Sequence, residues 1–336
     1  MIEPSVSPPD LHRRRFVLFS GKGGVGKTTM ASAFALSCAR RGQRTLLMEL
    51  GAKDKSSSLF GAAQVDSEIR EVDENLYAVN VTPKQAMKEY ALMVLKIKLI
   101  YRAVFENRVV SAFLRVVPGL NELLMLGKAY YHATEEDENG ELVWDKVIVD
   151  APATGHGIFF LKIASVITNL ISSGRMYDEA QRILDLLQDE ERTGIALVTL
   201  AEDMPVNETL MLSKVVREEM ELPVACVIAN AIYRPIFSEA EQDWLVDARE
   251  HLAQYEANVG EDTLELSGFF EAAKFRIDRV TMQQGYLEKL RREVHEPLIE
   301  IPYYFFDRMS FAIIDEIAED LDDILPTEMS DAQSAG

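Results

Sequence analysis

Short apolar runs recur along the chain between longer stretches whose apolar residues have helical spacing. The runs are rich in β-branched residues and do not alternate between apolar and polar positions, so they predict strands that are buried on both faces. Seven such runs occur, at residues 15–19, 45–50, 77–81, 146–149, 195–200, 224–229 and 298–301. Because helical stretches separate them, the pattern predicts a doubly wound, mostly parallel α/β fold.

The helical pattern is densest at about residues 83–132, where no strand is predicted. This stretch has more apolar residues than one buried stripe of a helix requires, which predicts a helical subdomain inserted into the sheet domain. A second apolar helical stretch, residues 156–190, is assigned to the same subdomain. We therefore expect a disordered lead at residues 1–13, a single domain at residues 14–325 that includes the subdomain, and a disordered tail at residues 326–336.

Composition and charge narrow the class of protein. The 336 residues are 48% hydrophobic and 27% charged, and no apolar run reaches the roughly 18 residues that a membrane span needs. The first residues lack the apolar stretch of a secretory signal, so we expect a cytoplasmic protein. The net charge of −20 repels nucleic acid and anionic lipid. We therefore expect neither nucleic acid nor a direct membrane anchor.

A glycine-rich segment follows the first predicted strand and precedes a helical stretch. Residues 21–29 read G-K-G-G-V-G-K-T-T, which contains the phosphate-loop pattern G-x-x-x-x-G-K-[ST] in the context that the pattern requires. Its glycines let backbone N–H groups and the helix N-terminus face the phosphates of a bound nucleotide. We expect Lys27 to reach the β- and γ-phosphates and the Thr28 hydroxyl to bind Mg²⁺. The candidate nucleotide-binding residues of this segment are Gly21, Lys22, Gly23, Gly24, Val25, Gly26, Lys27, Thr28 and Thr29.

A second candidate for the metal site is Asp150, which follows the predicted strand at residues 146–149. A carboxylate at the end of a buried strand can hold Mg²⁺ through the water shell of the ion. Thr28 and Asp150 are therefore the predicted Mg²⁺ ligands.

Two motifs resemble those of one group of ATPases. Lys22 makes the loop similar to the deviant phosphate loop of the group that includes the ParA/MinD partition proteins, the nitrogenase iron protein, and the arsenite-pump (ArsA) and tail-anchored-protein-targeting ATPases. Residues 150–156, D-A-P-A-T-G-H, resemble the D-T-A-P-T-G-H signature of the last two, and the chain is most similar to bacterial ArsA-like ATPases. In this group the extra lysine reaches the nucleotide of the partner subunit. The resemblance thus implies a dimer, with catalytic roles for Lys22 and Asp150.

The resemblance also implies which residues bind the base. Asn230, just after a predicted strand, corresponds to an asparagine whose amide contacts the adenine edge. Pro302 and Tyr303, after the last predicted strand, correspond to a loop that packs on the base.

The chain departs from the resemblance after the second predicted strand. Members of the group carry there an aspartate that positions the attacking water, and Gly51 stands at that position. Because glycine has no side chain to polarise water, we expect slow hydrolysis. Glu49 and Asp54 flank Gly51, and each is a candidate for the missing role. We favour Asp54, because a switch loop can move toward the phosphate whereas a strand residue stays in place.

The chain has two cysteines, Cys38 and Cys226. They cannot supply the thiolate cluster of an arsenite pump, the C-x-x-C zinc clamp of the eukaryotic targeting ATPases, or the paired cysteines of an iron–sulfur protein. We therefore expect no zinc and no iron–sulfur cluster.

Three functions remain open. The first is a cytosolic dimeric switch that binds and hydrolyses ATP, as a homodimer or with a paralogous ATPase, and gates an apolar helical surface for a hydrophobic client or membrane-linked partner. The second is a weakly active or regulatory subunit paired with a paralogous ATPase, which Gly51 favours. The third is a positioning ATPase of the ParA/MinD type, which the acidic C-terminal helix disfavours. The apolar surface of the first hypothesis consists of Met87, Met93, Val94, Leu95, Ile97, Leu99, Ile100, Phe105, Leu114, Leu123, Leu124, Met125 and Leu126. The alternative for these residues is that they pack the core of the subdomain itself or a fixed subunit interface.

Overall fold

A sheet of eight strands forms the centre of the described part of the protein. The structure is a computed structural model that describes residues 11–51, 56–61, 65, 67–95, 119–152, 154–256 and 264–325. The strands are β1 (Phe16–Gly21), β2 (Thr45–Leu50), β3 (Arg70–Asp73), β4 (Leu76–Val81), β5 (Lys146–Asp150), β6 (Thr193–Leu200), β7 (Val224–Ile232) and β8 (Leu298–Pro302). Their order across the sheet is β3-β4-β2-β5-β1-β6-β7-β8, and all neighbours are parallel except β3 and β4. The predicted doubly wound α/β fold is confirmed.

All seven predicted strands are present, but the sequence analysis missed the edge strand β3. This strand has the sequence R-E-V-D and pairs antiparallel with β4 through a turn at Asn75, whose φ is 58°. Its side chains are exposed or half-buried. An edge strand of this kind carries no apolar run, so a search for strands buried on both faces does not detect it.

Helices cover both faces of the sheet. Alternate residues of β1 pack into opposite apolar cores: Phe16 and Leu18 belong to one core, Val17 and Phe19 to the other. The helices are α1 (Lys27–Arg40), α2 (Ser56–Phe60), α3 (Pro83–Leu95), α4 (Leu120–Thr134), α5 (Thr154–Leu170), α6 (Arg175–Gln188), α7 (Asp203–Lys214), α8 (Glu239–Glu256), α9 (Leu264–Glu293) and α10 (Phe311–Ile324), and a π-helical turn, Val215–Glu219, follows α7. Within the described ranges, none of the helices combines the length and hydropathy needed to cross a membrane.

The first core contains four residues that the sequence analysis assigned to an exposed apolar surface. These residues of α4 are at most 8% exposed and pack beneath the sheet together with α5 and α6: Leu123, Leu124, Met125 and Leu126. These four residues therefore follow the alternative of core packing and do not form a client-binding surface in this structure. Met87 of α3 packs against the same core. The other residues assigned to that surface have side chains outside the described part of the chain.

Helices α8 and α9 pack against each other beyond the end of β7. A small apolar cluster of Leu245, Phe270 and Ala273 joins them. At its other end, α9 contributes Leu287 and Leu290 to the first core. Helix α9 therefore packs on α8 at one end and on the sheet domain, beside α7, at the other, and so attaches α8 to the sheet domain.

Candidate functional site

The glycine-rich segment forms the connection from β1 to α1. Gly21, Gly24 and Gly26 have φ values of 146°, 87° and 97°, which residues with a side chain rarely adopt. A Cβ atom at Gly21 would collide with the carbonyl oxygen of Val198, and one at Gly26 with the amide of Asn230. The loop therefore needs glycine at residue 21 for space, because the clash there is with backbone, and at residues 21, 24 and 26 for backbone conformation.

Lys27 and Thr28 form the first turn of α1, and both reach toward neighbouring elements. The Lys27 ammonium donates a hydrogen bond of 3.0 Å to the carbonyl oxygen of Lys22, and its side chain is largely buried. The Thr28 hydroxyl donates a hydrogen bond of 2.6 Å to a carboxylate oxygen of Asp150. The structure therefore brings together the two residues that the sequence analysis assigned to Mg²⁺, and a hydroxyl with a carboxylate is a donor set that suits this ion.

The position of Asp150 follows from the order of the strands. β5 lies directly beside β1, and Phe19 is opposite Asp150 in the register. Loops that follow neighbouring parallel strands meet at the same edge of the sheet, and ligands of doubly wound folds bind there, where the strand order reverses. The phosphate loop and the end of β5 meet at that edge.

The remaining loop residues differ in burial. Gly23 and Gly24 are exposed at the tip, whereas Val25 is buried in the second core. Thr29 is half-buried in the first turn of α1. Val25 therefore anchors the loop, and the two glycines leave backbone groups open to solvent.

The second lysine of the loop is held by its own chain. The Lys22 ammonium forms an ion pair with the carboxylate of Glu208 on α7, and both side chains are about one third exposed. The two residues are 186 positions apart. Sequence analysis did not identify Glu208, since a glutamate on the polar face of a helix has no distinguishing local pattern.

The predicted switch segment is only partly described. Glu49 is completely buried in β2 and is opposite Asp150 of β5 in the register. Gly51 follows β2 with φ 71°, and its N–H donates to the carbonyl oxygen of Val81 at 2.9 Å. Asp54 lies outside the described residues. Of the two candidate carboxylates, the structure therefore describes only Glu49, which lies beside Asp150.

Asn230 was expected just after its strand, but it lies within β7, two residues before the end of the strand, and it contacts the phosphate loop. Its amide nitrogen donates to the carbonyl oxygen of Val25 at 2.9 Å, and its amide oxygen accepts from the backbone N–H of Ala231 at 2.8 Å. Ala231 has a φ of 58°. In the structure the Asn230 amide therefore binds the loop of its own chain, and contact with an adenine edge would have to use the remaining hydrogen-bonding capacity of the amide.

An aromatic cluster follows β8. Pro302 ends the strand, and the ring of Tyr303 stacks on Tyr233 with centroids 4.6 Å apart, while Phe305 meets both rings edge-on. The guanidinium of Arg276 lies 4.5 Å from the Tyr233 ring centroid. Tyr303 and Arg276 line a cleft of about 370 Å³. Tyr233 and Arg276 were not identified from the sequence, although Tyr233 lies three residues after Asn230.

The acidic wall of this cleft holds a second tyrosine. The Tyr304 hydroxyl donates to the Asp320 carboxylate of α10. Burial and the neighbouring Asp320 raise the pKa of Tyr304. The phenol therefore stays protonated and continues to donate this hydrogen bond at physiological pH.

Both cysteines are buried and free. Burial raises the pKa of the Cys38 thiol to about 12, and it also raises the pKa of Cys226. Among the described residues, no group of three or more His, Cys, Asp or Glu side chains could hold a metal ion. That zinc and iron–sulfur clusters are absent stays a prediction.

Comparison with known proteins identifies relatives of the chain. A family described as "Anion-transporting ATPase" matches residues 14–176, which include the phosphate loop, Gly51 and Asp150. The protein named "ATPase BagA" of Mycobacterium tuberculosis is 32% identical over 232 residues, which are 66% of this chain and 66% of that protein.

Two further relatives carry a different name. The "Putative arsenical pump-driving ATPase" of Prosthecochloris vibrioformis is 25% identical over 236 residues, 58% of this chain and 56% of that protein. A protein of the same name from Halobacterium salinarum is 27% identical over 236 residues, 64% of this chain and 35% of that protein. The chain therefore matches less than two thirds of the length of these curated relatives.

Proposed function

Because the chain belongs to the ArsA-like ATPase family, we propose that it is a dimeric switch that binds and hydrolyses Mg-ATP at the phosphate loop. The observation that carries this proposal is the contact between Thr28 and Asp150 beside a loop whose glycines at residues 21, 24 and 26 have positive φ. Two oxygen donors of the kind that Mg²⁺ prefers thus lie beside backbone N–H groups at a helix N-terminus, and this supports a Mg-ATP site.

In this proposal the loop holds and orients the phosphates. The backbone N–H groups of the loop bind phosphate oxygens, and Lys27 moves its ammonium from the Lys22 carbonyl to the β- and γ-phosphates. A charged acceptor forms the stronger hydrogen bond, so this exchange is favourable. Thr28 and Asp150 hold Mg²⁺, which when bound neutralises charge on the β- and γ-phosphates. Lys22 supplies a further positive charge at the tip of the loop.

The residue that orients the attacking water decides the rate. We assign this role to Asp54 or Glu49, and we expect slow hydrolysis because Gly51 lacks a carboxylate. Glu49 is held in β2 beside Asp150, which supports it as a candidate.

The alternative is a weakly active or regulatory subunit that pairs with a paralogous ATPase, and Gly51 supports it. A Cβ atom at Gly51 would make ordinary contacts of 3.7 and 3.8 Å with Pro152 and Met125. Space at the Cβ position therefore does not exclude a side chain, and the cost of a substitution at residue 51 comes from its left-handed φ of 71°.

We propose that adenine binds near the aromatic cluster. Tyr303 is 40% exposed and lines the cleft beside Pro302. Its ring already stacks on Tyr233, so a base can pack on the cluster only from the cleft side. Asn230 contacts the phosphate loop and stands two residues before Ile232, which lines the cleft, and this supports a nucleotide that spans both.

The proposed partners are a second subunit, identical or paralogous, and a hydrophobic client in the cytoplasm. Among described residues of the helical subdomain, Leu170 and Met176 flank the turn between α5 and α6 and are 73% and 41% exposed. Their exposure supports an apolar contact at this turn rather than along α4.

A positioning ATPase of the ParA/MinD type has less support. The apolar residues of α10, among them Ile314, Ile317 and Leu321, are buried against α1 in the second core. This last described helix therefore has no apolar face left for a lipid surface, and its exposed face is acidic.

Calorimetry with Mg-ATP, Mg-ADP and GTP, together with a phosphate-release assay and light scattering, tests the proposal. We expect binding of both adenine nucleotides, slow phosphate release, and a mass that rises to that of a dimer only with ATP. A Lys162→Ala protein serves as control, because Lys162 pairs with Glu219 on the exposed surface. Absence of Mg-ATP binding by the folded wild type would overturn the proposal. Binding with no phosphate release at any concentration would favour the regulatory alternative.

A further inference from the structure

The ion pair between Lys22 and Glu208 ties the tip of the phosphate loop to α7. Lys22 is 29% exposed and Glu208 is 37% exposed, so water screens the pair only in part. While this pair is formed, the Lys22 ammonium is directed at a carboxylate of its own chain. A nucleotide phosphate, in its own or in a partner subunit, competes with this carboxylate for the ammonium.

The two lysines of the loop are linked to each other. The Lys27 ammonium donates to the backbone carbonyl of Lys22 at 3.0 Å, and the Lys22 side chain then continues to Glu208. A phosphate that draws the Lys27 ammonium away removes one of the contacts that hold the Lys22 backbone in this position. Phosphate binding and the Lys22–Glu208 pair therefore act on the same short segment.

Helix α7 is in turn held from its other side by α9. Arg279 forms an ion pair of 3.3 Å with Glu202 at the start of α7, and Lys289 donates a hydrogen bond of 2.6 Å to Asn207. Glu208 follows Asn207 directly. The helix is thus fastened to the phosphate loop by Glu208 and to the α8–α9 pair by the residues beside it.

We propose that Glu208 is a positioning residue that holds Lys22 in the nucleotide-free chain and competes with nucleotide phosphate for its ammonium. The inference rests on the proposed nucleotide-binding function and concerns the same loop. Nucleotide binding breaks the pair, and α7 then loses its contact with the loop while it keeps its contacts with α9. The state of the phosphate loop is thereby transmitted to α7.

A double-mutant cycle on nucleotide affinity tests the competition. Wild type, Glu208→Gln, Lys22→Met and the double variant are titrated with the Mg²⁺ complex of a non-hydrolysable ATP analogue. Because a partly exposed ion pair that must break opposes binding, Glu208→Gln should lower the Kd by up to about 5-fold. In the Lys22→Met background the same change should leave the Kd unaltered. Equal tightening in both backgrounds would mean a long-range charge effect, and unchanged or weaker binding by Glu208→Gln would exclude competition; either result overturns the inference.

Hydrogen exchange of α7 separates positioning from a purely structural role. In wild type, binding of the analogue should raise the rate of backbone amide hydrogen exchange in residues 203–214. In Glu208→Gln the rate should already be high without the analogue, and the analogue should not raise it further. Glu218→Gln is the matched control, because Glu218 pairs with Arg217 and does not contact Lys22. A nucleotide-induced rise that persists in Glu208→Gln would contradict the inference. If wild type binds no nucleotide, both the proposed function and the inference about Glu208 fail. If nucleotide binds and the mutant cycle shows no coupling, only the role of Glu208 fails.

Discussion

The Thr28 hydroxyl donates a 2.6 Å hydrogen bond to Asp150, although the two residues are 122 positions apart in the chain. The contact forms because β1 and β5 are parallel neighbours whose ends lie at the same edge of the sheet. In the proposed function, an ion on the nucleotide phosphates at this edge would meet both oxygen donors.

The first prediction concerns the charge of Asp150. Asp150→Asn keeps the shape of the side chain and removes its negative charge, so it should weaken Mg-ATP binding by about 10- to 100-fold. Calorimetry in Mg²⁺ and in EDTA measures the effect. In EDTA the two proteins should bind ATP alike or the variant more tightly, since no ion then requires the carboxylate. A loss of affinity that is equal with and without Mg²⁺ would show that Asp150 does not act through the metal.

The two lysines of the loop should have separable effects. Lys27→Ala should abolish detectable ATP binding, because Lys27 lies in the first turn of α1 and, in the proposed function, its ammonium binds the phosphates of its own subunit. Lys22→Ala should keep ATP binding largely intact and remove hydrolysis and ATP-dependent dimerisation. Calorimetry and light scattering on both variants check this difference. Equal loss of affinity in the two proteins would contradict a role of Lys22 across the subunit interface.

Gly51 can be tested with an isosteric pair of substitutions. Its φ of 71° is left-handed, a conformation that Asp and Asn tolerate better than other residues with a side chain, at a cost of about 1–2 kcal/mol. Wild type should turn over far below the roughly 1–100 s⁻¹ typical of kinases. Gly51→Asp should raise the rate of phosphate release, and Gly51→Asn, which fills the same space without a charge, should not.

If Gly51→Asp does not raise the rate, the carboxylate that orients the attacking water belongs to another residue. If Glu49 or Asp54 already orients water, Gly51→Asp changes little, and Glu49→Gln or Asp54→Asn stops hydrolysis while ATP binding persists. Turnover at ordinary rates in the wild type, with both carboxamide variants equally active, would show that the switch lies in another segment.

His12 should make stability depend on pH. Burial and the nearby Arg41 lower the pKa of His12 to about 4, whereas in the unfolded chain the pKa is about 6.5. Between these values the unfolded state binds more protons, so the free energy of unfolding falls as pH falls through this window. His12→Phe keeps a ring beside Phe34, 4.9 Å away in wild type, and removes the titration.

Urea denaturation between pH 7 and 4 measures this effect. Over that range wild type should lose up to about 3 kcal/mol more than His12→Phe, since one pKa unit corresponds to about 1.4 kcal/mol. His251→Phe, at an exposed histidine of α8, should behave like wild type. Parallel pH curves for wild type and His12→Phe would refute the assignment.

Much of the fold was accessible from the sequence because its signals are local. Buried parallel strands appear as continuous apolar runs, and the glycines and Lys27 of the loop stand in one contiguous segment, so both were identified before any contact was known. The edge strand β3 escaped because one exposed side and four residues leave no apolar run. The role of the apolar residues of α4 stayed open between a core and a surface, because an apolar excess in a helix does not tell which of the two receives it.

Local sequence patterns do not specify the order of the strands in the sheet. That order puts Asp150 against Thr28, sets Glu49 opposite Asp150, and turns the Asn230 amide onto the carbonyl of Val25. The pairing of Lys22 with Glu208 likewise joins residues far apart in the chain. Such contacts arise only when strands and helices distant in sequence pack side by side, because their free energy depends on distance in space and not on separation along the chain.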